Sequence, residues 1–523
     1  MNAGDRRFAT LLLPCMRCLR TPYFRHTLSV LATLWLGVAA LPAQVLARPG
    51  WAGSGVTVEP WWQRAVFYRL DPAAFQDSDG DGRGDLGGVT QRMDYLQSLG
   101  VDAIILAPAA TAPPLSPNDA DFGDVARAAS THHIRVLIAL EPIAGRQRPD
   151  GSSALLAAAR SWLTQGAAGF MLDTPLLASL SADQVHQLRA LTASFPGERI
   201  LLSAAAPAGN TDLAQALRRE VQLIASPPLA AGSVVPGAGV LRSDLLAAME
   251  SSPDTLSRHS AVRVHPSRDT SALPLLVAAR SSALPGSSLA VLLLASRAAV
   301  LLDYGEELGL APAPNGATPQ MQWTPGNRTL PPVPPPVMPT DFSATVYKPY
   351  APYVPPLPHD RMPAPPPPPT AFVSETPDPR TLPGFSTAPA DPGLAASNGA
   401  TANVVTEDAE PYSLLNLYRH LIQLHHQNAS LHDGAQLFLD HDADEALVWL
   451  RRSTPGARTS ATVLAVCNLA SHNLHLHLDR ELERMGAPHG GLRTLASSVP
   501  LPLEDSEDIV LSPGGAFVGE FTR

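Results

Sequence analysis

Between residues 65 and 305 the chain alternates, about eight times, a short apolar run with an amphipathic stretch of crossover length. AVFYRL (65–70) precedes GVTQRMDYLQSLG (88–100), and DAIILAP (102–108) precedes DFGDVARAASTHH (121–133). IRVLIAL (134–140) precedes SALLAAARSWLTQG (153–166), and GFMLD (169–173) precedes SADQVHQLRALTASF (181–195). RILLS (199–203), VQLIAS (221–226) and AVRVH (261–265) continue the series, the last followed by an apolar helical stretch near 273–296, and AVLLDYG (299–305) ends it. Runs that are apolar without alternation suit parallel strands covered on both faces. About eight such units close a (β/α)8 barrel. The alternative is an open doubly wound sheet, but no Gly-rich phosphate loop follows the first run.

The expected fold is therefore α/β, a (β/α)8 TIM barrel over residues 58–324. Composition changes at 325: residues 325–400, which include LPPVPPPVMP and MPAPPPPPT, hold 23 of the chain's 54 prolines. Such sequence forms neither helix nor central strand, so 325–400 reads as a disordered or polyproline insertion. YSLLNLYRHLIQLHHQN (412–428) restores the helical period, and 401–432 is expected to hold the last barrel helix. Beyond it, AQLFLD, ALVWLRR, ATVLAVCNLA, LHLHLD and AFVGEFTR read as strands of a C-terminal antiparallel β-sandwich over 433–523.

Residues 1–47 read as a signal peptide. Arg6, Arg7, Arg17, Arg20 and Arg25 precede the apolar run LSVLATLWLGVAA at 28–40, and VLA at 45–47 offers small residues for cleavage. The expected location is periplasmic or secreted, with an uncleaved membrane anchor as the alternative. Cys15 and Cys18 lie ahead of the apolar run, and Cys467 sits alone in an apolar strand, so no disulfide framework is expected. Formal net charge is -10 with 16% charged residues, a balance that argues against a nucleic-acid partner.

DSDGDGRGD (77–85) spaces acids every second residue and adds one four later, with glycines for tight turning. Oxygen ligands so spaced suit Ca²⁺. The loop is not an EF-hand, because Gly88 stands where the bidentate Glu would be. GFMLD places Asp173 at the end of the fourth run, where barrel enzymes carry catalytic groups.

The stretch WWQRAVFYRLDPAAFQDSDGDGRGDLGGVTQRMDYLQSLGVDAIILAP resembles the first barrel segment of the α-amylase superfamily, glycoside hydrolase family 13, particularly its oligo-1,6-glucosidase and trehalose synthase branch. DYGEELGL (303–310), TPQMQWTP (318–325) and SLLNLYRHLIQLHHQNASLHDG resemble later landmarks of the same enzymes. The resemblance implies carbohydrate chemistry, an α-glucan or α-glucoside ligand, and a structural Ca²⁺ on Asp77, Asp79, Asp81, Asp85 and the Arg83 carbonyl. It also implies a nucleophile at Asp173. The family's arginine two residues earlier is replaced by Met171, its general acid after the fifth strand by Ala204, and its seventh-strand aspartate by Pro266, next to a retained His265. In the third-strand motif Ala139, Ile143 and Ala144 replace Asp, Asn and His. Glu141 shares a strand face with Ala139. Only EPIAGRQRPDGSS stands where the family inserts a small domain after the third strand.

Three readings follow. One is a catalytically impaired family member or pseudoenzyme. In layout this resembles the heavy subunit of heteromeric amino-acid transporters, which would add a membrane partner. A second is an active glucosidase or transglycosidase with rearranged acids, Asp173 working with Glu141. A third is a non-catalytic carbohydrate-binding protein. His265 and Glu141 are the candidate substrate-binding residues, and structural roles for both are the alternative.

Overall fold

In this computed structural model the described residues are 60–109, 112, 115–116, 121–142, 151–205, 211–230, 234–250, 272–278, 284–310, 318–325, 394–395, 402–439, 445–453, 461–498 and 505–522. Eight parallel strands close a barrel in chain order: β1 (Val66–Leu70), β2 (Ala103–Leu106), β3 (Arg135–Leu140), β4 (Gly169–Leu172), β5 (Ile200–Ser203), β6 (Leu223–Ala225), β7 (Leu273–Val277) and β8 (Ala299–Asp303). β1 pairs with both β2 and β8. The period of two along each strand explains the unbroken apolar runs. Phe67, Ile105, Leu137, Met171, Leu202, Leu223, Leu275 and Leu301 fill the barrel interior. Their chain neighbours Tyr68, Ile104, Ile138, Phe170, Leu201, Leu276 and Leu302 pack outward against the helices.

The seventh strand corrects one expectation. It is Leu273–Val277, pairing with β6 and β8, and the run 261–265 lies outside the described residues. So do residues 1–47, where a signal peptide is expected, most of the Pro-rich stretch, Ile143, Ala144, His265 and Pro266. Leu394–Ala395, near the end of that stretch, pairs in parallel with Thr318–Pro319.

The crossovers are α1 (Leu86–Gln91, resumed as Met93–Leu99), α2 (Asp121–Thr131), α3 (Gly151–Thr164), α4 (Ala182–Ala193), α5 (Asp212–Glu220), α6 (Ala238–Glu250) and α7 (Gly286–Leu294), with α8 (Leu414–Gln427) as the last barrel helix. Their starts are written locally. Ser181 and Gln184 form a capping box at α4, and Thr211 and Ser413 cap α5 and α8. Only residues 141–150 separate β3 from α3, which leaves no room for a folded insertion.

A buried polar network locks the outer face of β1. Glu307, fully buried, accepts hydrogen bonds from the hydroxyls of Tyr68 and Tyr95, both at 2.6 Å, and from the Gly305 amide at 2.9 Å. Burial raises the Glu307 pKa, although these donors oppose the shift. Beside it, Arg92 donates to Gln76 Oε1 at 2.8 and 2.6 Å and lies 3.8 Å over the Trp323 ring.

After α8 come β9 (Ala435–Phe438), β10 (Ala446–Arg452), β11 (Thr462–Asn468), β12 (Leu474–Leu476), β13 (Leu492–Ser497), β14 (Ile509–Leu511) and β15 (Ala516–Phe521). Strands β9, β10, β11, β15 and β13 form, in that order, a five-stranded antiparallel sheet, and β12 pairs with β14. One face of the larger sheet, with Val448, Leu450, Leu464 and Phe517, packs on Leu474, Leu476, Ile509 and Leu511 of the smaller. The other face, with Leu447, Trp449, Val463, Ala465 and Cys467, joins the core around the barrel helices. Trp449 Nε1 and Arg451 both donate to the Ala295 carbonyl just past α7. Burial raises the Cys467 thiol well above its ordinary pKa, so it is inert as a nucleophile.

Candidate active site

Strand parity carries the interior-facing positions upward to a ring at the C-terminal mouth. Ala139 and Met171 are register partners on β3 and β4. Glu141 and Asp173 therefore stand one step further on the same inward face of neighbouring strands. The Glu141 carboxyl is held above its usual pKa, first by burial, then by the charges of Asp173 and Asp71. Three acids from the ends of β1, β3 and β4 thus share one electrostatic field.

Each acid also has a local structural task. Asp173 caps the short turn Thr174–Leu177, accepting from the Thr174 amide at 2.8 Å. Asp71, buried, caps Pro72–Phe75 and accepts from the Ala73 amide at 3.1 Å. Asp173 thus caps a turn just past β4 while its charge acts on Glu141.

The remaining ring positions are apolar or paired. Met171 is fully buried in the barrel interior, and Ala139 is buried beside it. Ala204, half-buried, directly follows β5, and Val277 ends β7. No Asp or Glu occurs between Glu198 and Asp212, or between Asp269 and Asp303. Glu198 serves the opposite end of the barrel, accepting from Trp62 Nε1 at 2.8 Å.

One pair at the mouth escaped sequence reasoning. Arg69 on β1 and its register partner Asp303 on β8 form a two-pronged ion pair, 2.5 and 2.8 Å, with the Asp303 side chain 4% exposed. Both lie two residues beyond interior apolar positions, Phe67 and Leu301. That parity was the available signal. The bridge ties the first strand to the last and places a guanidinium on the ring where Met171 provides none.

The acidic loop lies on the far side of β1's end. One oxygen each from Asp77, Asp79 and Asp85 falls within 4.8 Å of the others. Asp77 accepts from the amides of Gly80 and Gly82 at 2.7 and 3.0 Å; Asp85 accepts from Gly88 at 2.6 Å and from the Ser78 hydroxyl at 2.7 Å. Asp81 stands outside this group, its carboxylate turned to the Arg83 amide at 2.7 Å. Gly88 is dictated by space, because a Cβ there would lie 1.9 Å from the Gln76 carbonyl. A set made entirely of hard oxygen donors, with carboxylate lone pairs to spare beyond these hydrogen bonds, fits a divalent cation of the calcium type.

Comparison with known proteins locates the similarity. Residues 69–126 match the model of the α-amylase catalytic domain. Trehalose-6-phosphate hydrolase of Escherichia coli is 58% identical over 48 residues, and a salivary α-glucosidase of Anopheles gambiae 54% over 48; each match covers 9% of this chain. The matched segments span 9% and 8% of those relatives' own length. Among solved structures, isomaltulose synthase from Klebsiella sp. LX3 superposes with a TM-score of 0.59 at 14% identity, over 88% of this chain and 100% of that one. A trehalulose synthase gives 0.58 at 15% identity, with the same coverage. The opening segment by sequence, and the closed barrel with its C-terminal antiparallel sheet by fold, thus resemble the α-amylase superfamily, glycoside hydrolase family 13.

Proposed function

We propose that this chain is an α-glucoside-directed barrel whose hydrolytic chemistry is impaired. One observation carries the reading: Ala204 directly follows β5 and Val277 ends β7, with no carboxylate near either in the chain. A retaining glycosidase needs a proton donor beside its nucleophile. Loss of a general acid lowers rates by about 10²- to 10⁴-fold, and loss of the charge that orients the nucleophile adds to this. The test is turnover by the purified protein of maltooligosaccharides and of an aryl α-glucoside whose phenolate leaves without protonation. Maltooligosaccharides are expected to bind calorimetrically without measurable hydrolysis. Vigorous maltose release would defeat the proposal.

The coupling of Glu141 to Asp173 favours a second reading, in which these two acids retain a slow activity. Adjacent strands lie about 4.8 Å apart, close to the roughly 5–5.5 Å that separates the acids of a retaining pair. Here Asp173 attacks the anomeric carbon and Glu141 protonates the departing oxygen. Slow maltooligosaccharide hydrolysis lost in both Asp173→Asn and Glu141→Gln, with release of the activated phenolate lost only in Asp173→Asn, supports it; maltooligosaccharide hydrolysis surviving either substitution counts against it.

We also propose that Asp77, Asp79 and Asp85, with the Arg83 carbonyl, hold a structural Ca²⁺. At free Ca²⁺ about 100 times the dissociation constant, binding adds about 2.7 kcal/mol. Chelation should therefore lower Tm by several degrees, and Asp77→Asn should abolish that difference. Identical melting with and without chelator would remove the ion from the account.

A further inference from the structure

The N-terminal end of the barrel, opposite Asp173, holds positive charge that the mouth does not use. Arg135 opens β3 and is exposed, while Arg199 immediately precedes β5 and is half-buried. Register pairs Leu137 with Gly169 and Gly169 with Ile200, so the two arginines flank the chain entering β4. That entry is built from the small residues Ala167 and Ala168. The Trp61 ring lies 4.2 Å from the Arg135 guanidinium carbon. Arg199 is pushed below its usual pKa, first by burial and then by Arg135, which shows that the two charges feel each other.

No carboxylate among the described residues pairs with either arginine. Glu198, next to Arg199 in sequence, is engaged by Trp62. Two donors here are buried and unpartnered: the Trp61 indole N–H and the Arg199 Nε–H. Buried donors left unmet are costly, and they mark this end of the barrel as polar and unsatisfied. In a protein with 47 acidic residues against 37 basic ones, an internal carboxylate partner would have been easy to supply. Guanidinium forks match oxyanions in geometry as well as charge.

We propose that Arg135, Arg199 and Trp61 form a binding site for a small tetrahedral oxyanion, of the phosphate or sulfate class, at the N-terminal end of the barrel. The anion bridges the starts of β3 and β5 across β4, held by the guanidinium groups of Arg135 and Arg199, with the Trp61 ring seating the first of them. The site is independent of the sugar chemistry proposed for the mouth.

The test is thermal unfolding of the full chain, titrated with inorganic phosphate while sodium chloride holds ionic strength constant, and repeated with sulfate. A saturable rise in Tm is expected for both anions. Arg135→Gln and Arg199→Gln should each weaken the apparent affinity by about tenfold or more, and Trp61→Phe by a smaller factor. A rise that does not saturate, or that is equal in wild type and Arg135→Gln, marks a general salt effect and overturns the site. Because Arg135 is exposed, its substitution spares the fold and decides the matter even where Arg199→Gln fails to fold.

Discussion

Trp323→Ala is expected to lower the unfolding free energy by about 3–5 kcal/mol, in the range of large aromatic truncations in cores. The side chain is 1% exposed, its Nε1 donates to the Phe75 carbonyl at 2.8 Å, and Phe75 and Tyr95 meet its ring edge-on at 5.2 and 5.0 Å. It also forms the flat surface beneath Arg92, whose guanidinium burial has pulled down to a pKa of about 9. Removing the ring leaves a cavity, a bare carbonyl and a less supported buried cation. Gln76, which holds Arg92 from the other side, immediately precedes the acidic loop. The substitution should therefore blunt the Tm response to Ca²⁺ that the proposed site predicts, along with stability. Trp323→Phe keeps most of the volume and should cost about half as much. Urea unfolding measures both, and a change under about 1 kcal/mol for Trp323→Ala would contradict the packing described.

Acid should destabilise the protein through His425 by up to about 3 kcal/mol between pH 6.5 and 4. This side chain is 1% exposed, and its ring nitrogens lie 2.8 Å from the Leu294 carbonyl and 3.0 Å from the Arg64 carbonyl. Two carbonyls would prefer an imidazolium, but burial outweighs them, with help from His426 and Arg451, and lowers the pKa to about 4. The sign follows from linkage. The unfolded chain takes up a proton below about 6.5 while the folded one refuses it, so stability present above that pH is lost as pH falls toward 4. His425→Gln should flatten this slope in urea midpoints measured at pH 7 and pH 5. The neighbouring His426 pairs with Asp102 at 2.9 Å, and Asp102 also accepts from the Val66 amide, so it needs a separate substitution as control.

Most of the barrel was legible because its strands obey one rule. AIIL, GFML and ILLS are short, apolar on both faces and flanked by polar turns, which leaves parallel burial as the only economical arrangement. The seventh strand was misplaced for a physical reason. LPLLV carries Pro274, a residue that discourages a strand assignment, and α7 after it is apolar on all sides, so strand and helix merge into one hydrophobic stretch. The helix tolerates this because the C-terminal sheet covers its outer face. At the mouth, Asp173 and Glu141 could be read from strand parity. Asp71 and the Arg69–Asp303 bridge could not be assigned, because their meaning depends on which strands end up adjacent when β8 closes against β1. Asp81 fits the spacing of the acidic loop as well as its neighbours do, and accepts from the amide two residues on as Asp79 does; only the folded position of its carboxylate, outside the cluster of Asp77, Asp79 and Asp85, separates it from them.

The double coverage of β10 and β11 has a consequence for how this chain can be taken apart. A barrel severed from the C-terminal sheets would bare an oily wall along α7 and α8, while the released sheets would present Trp449 and Val463 to water. Neither fragment could be expected to remain dispersed by itself. Barrel and sheets stand or fall as one cooperative body, even though the match to the α-amylase catalytic domain covers only the start of the barrel.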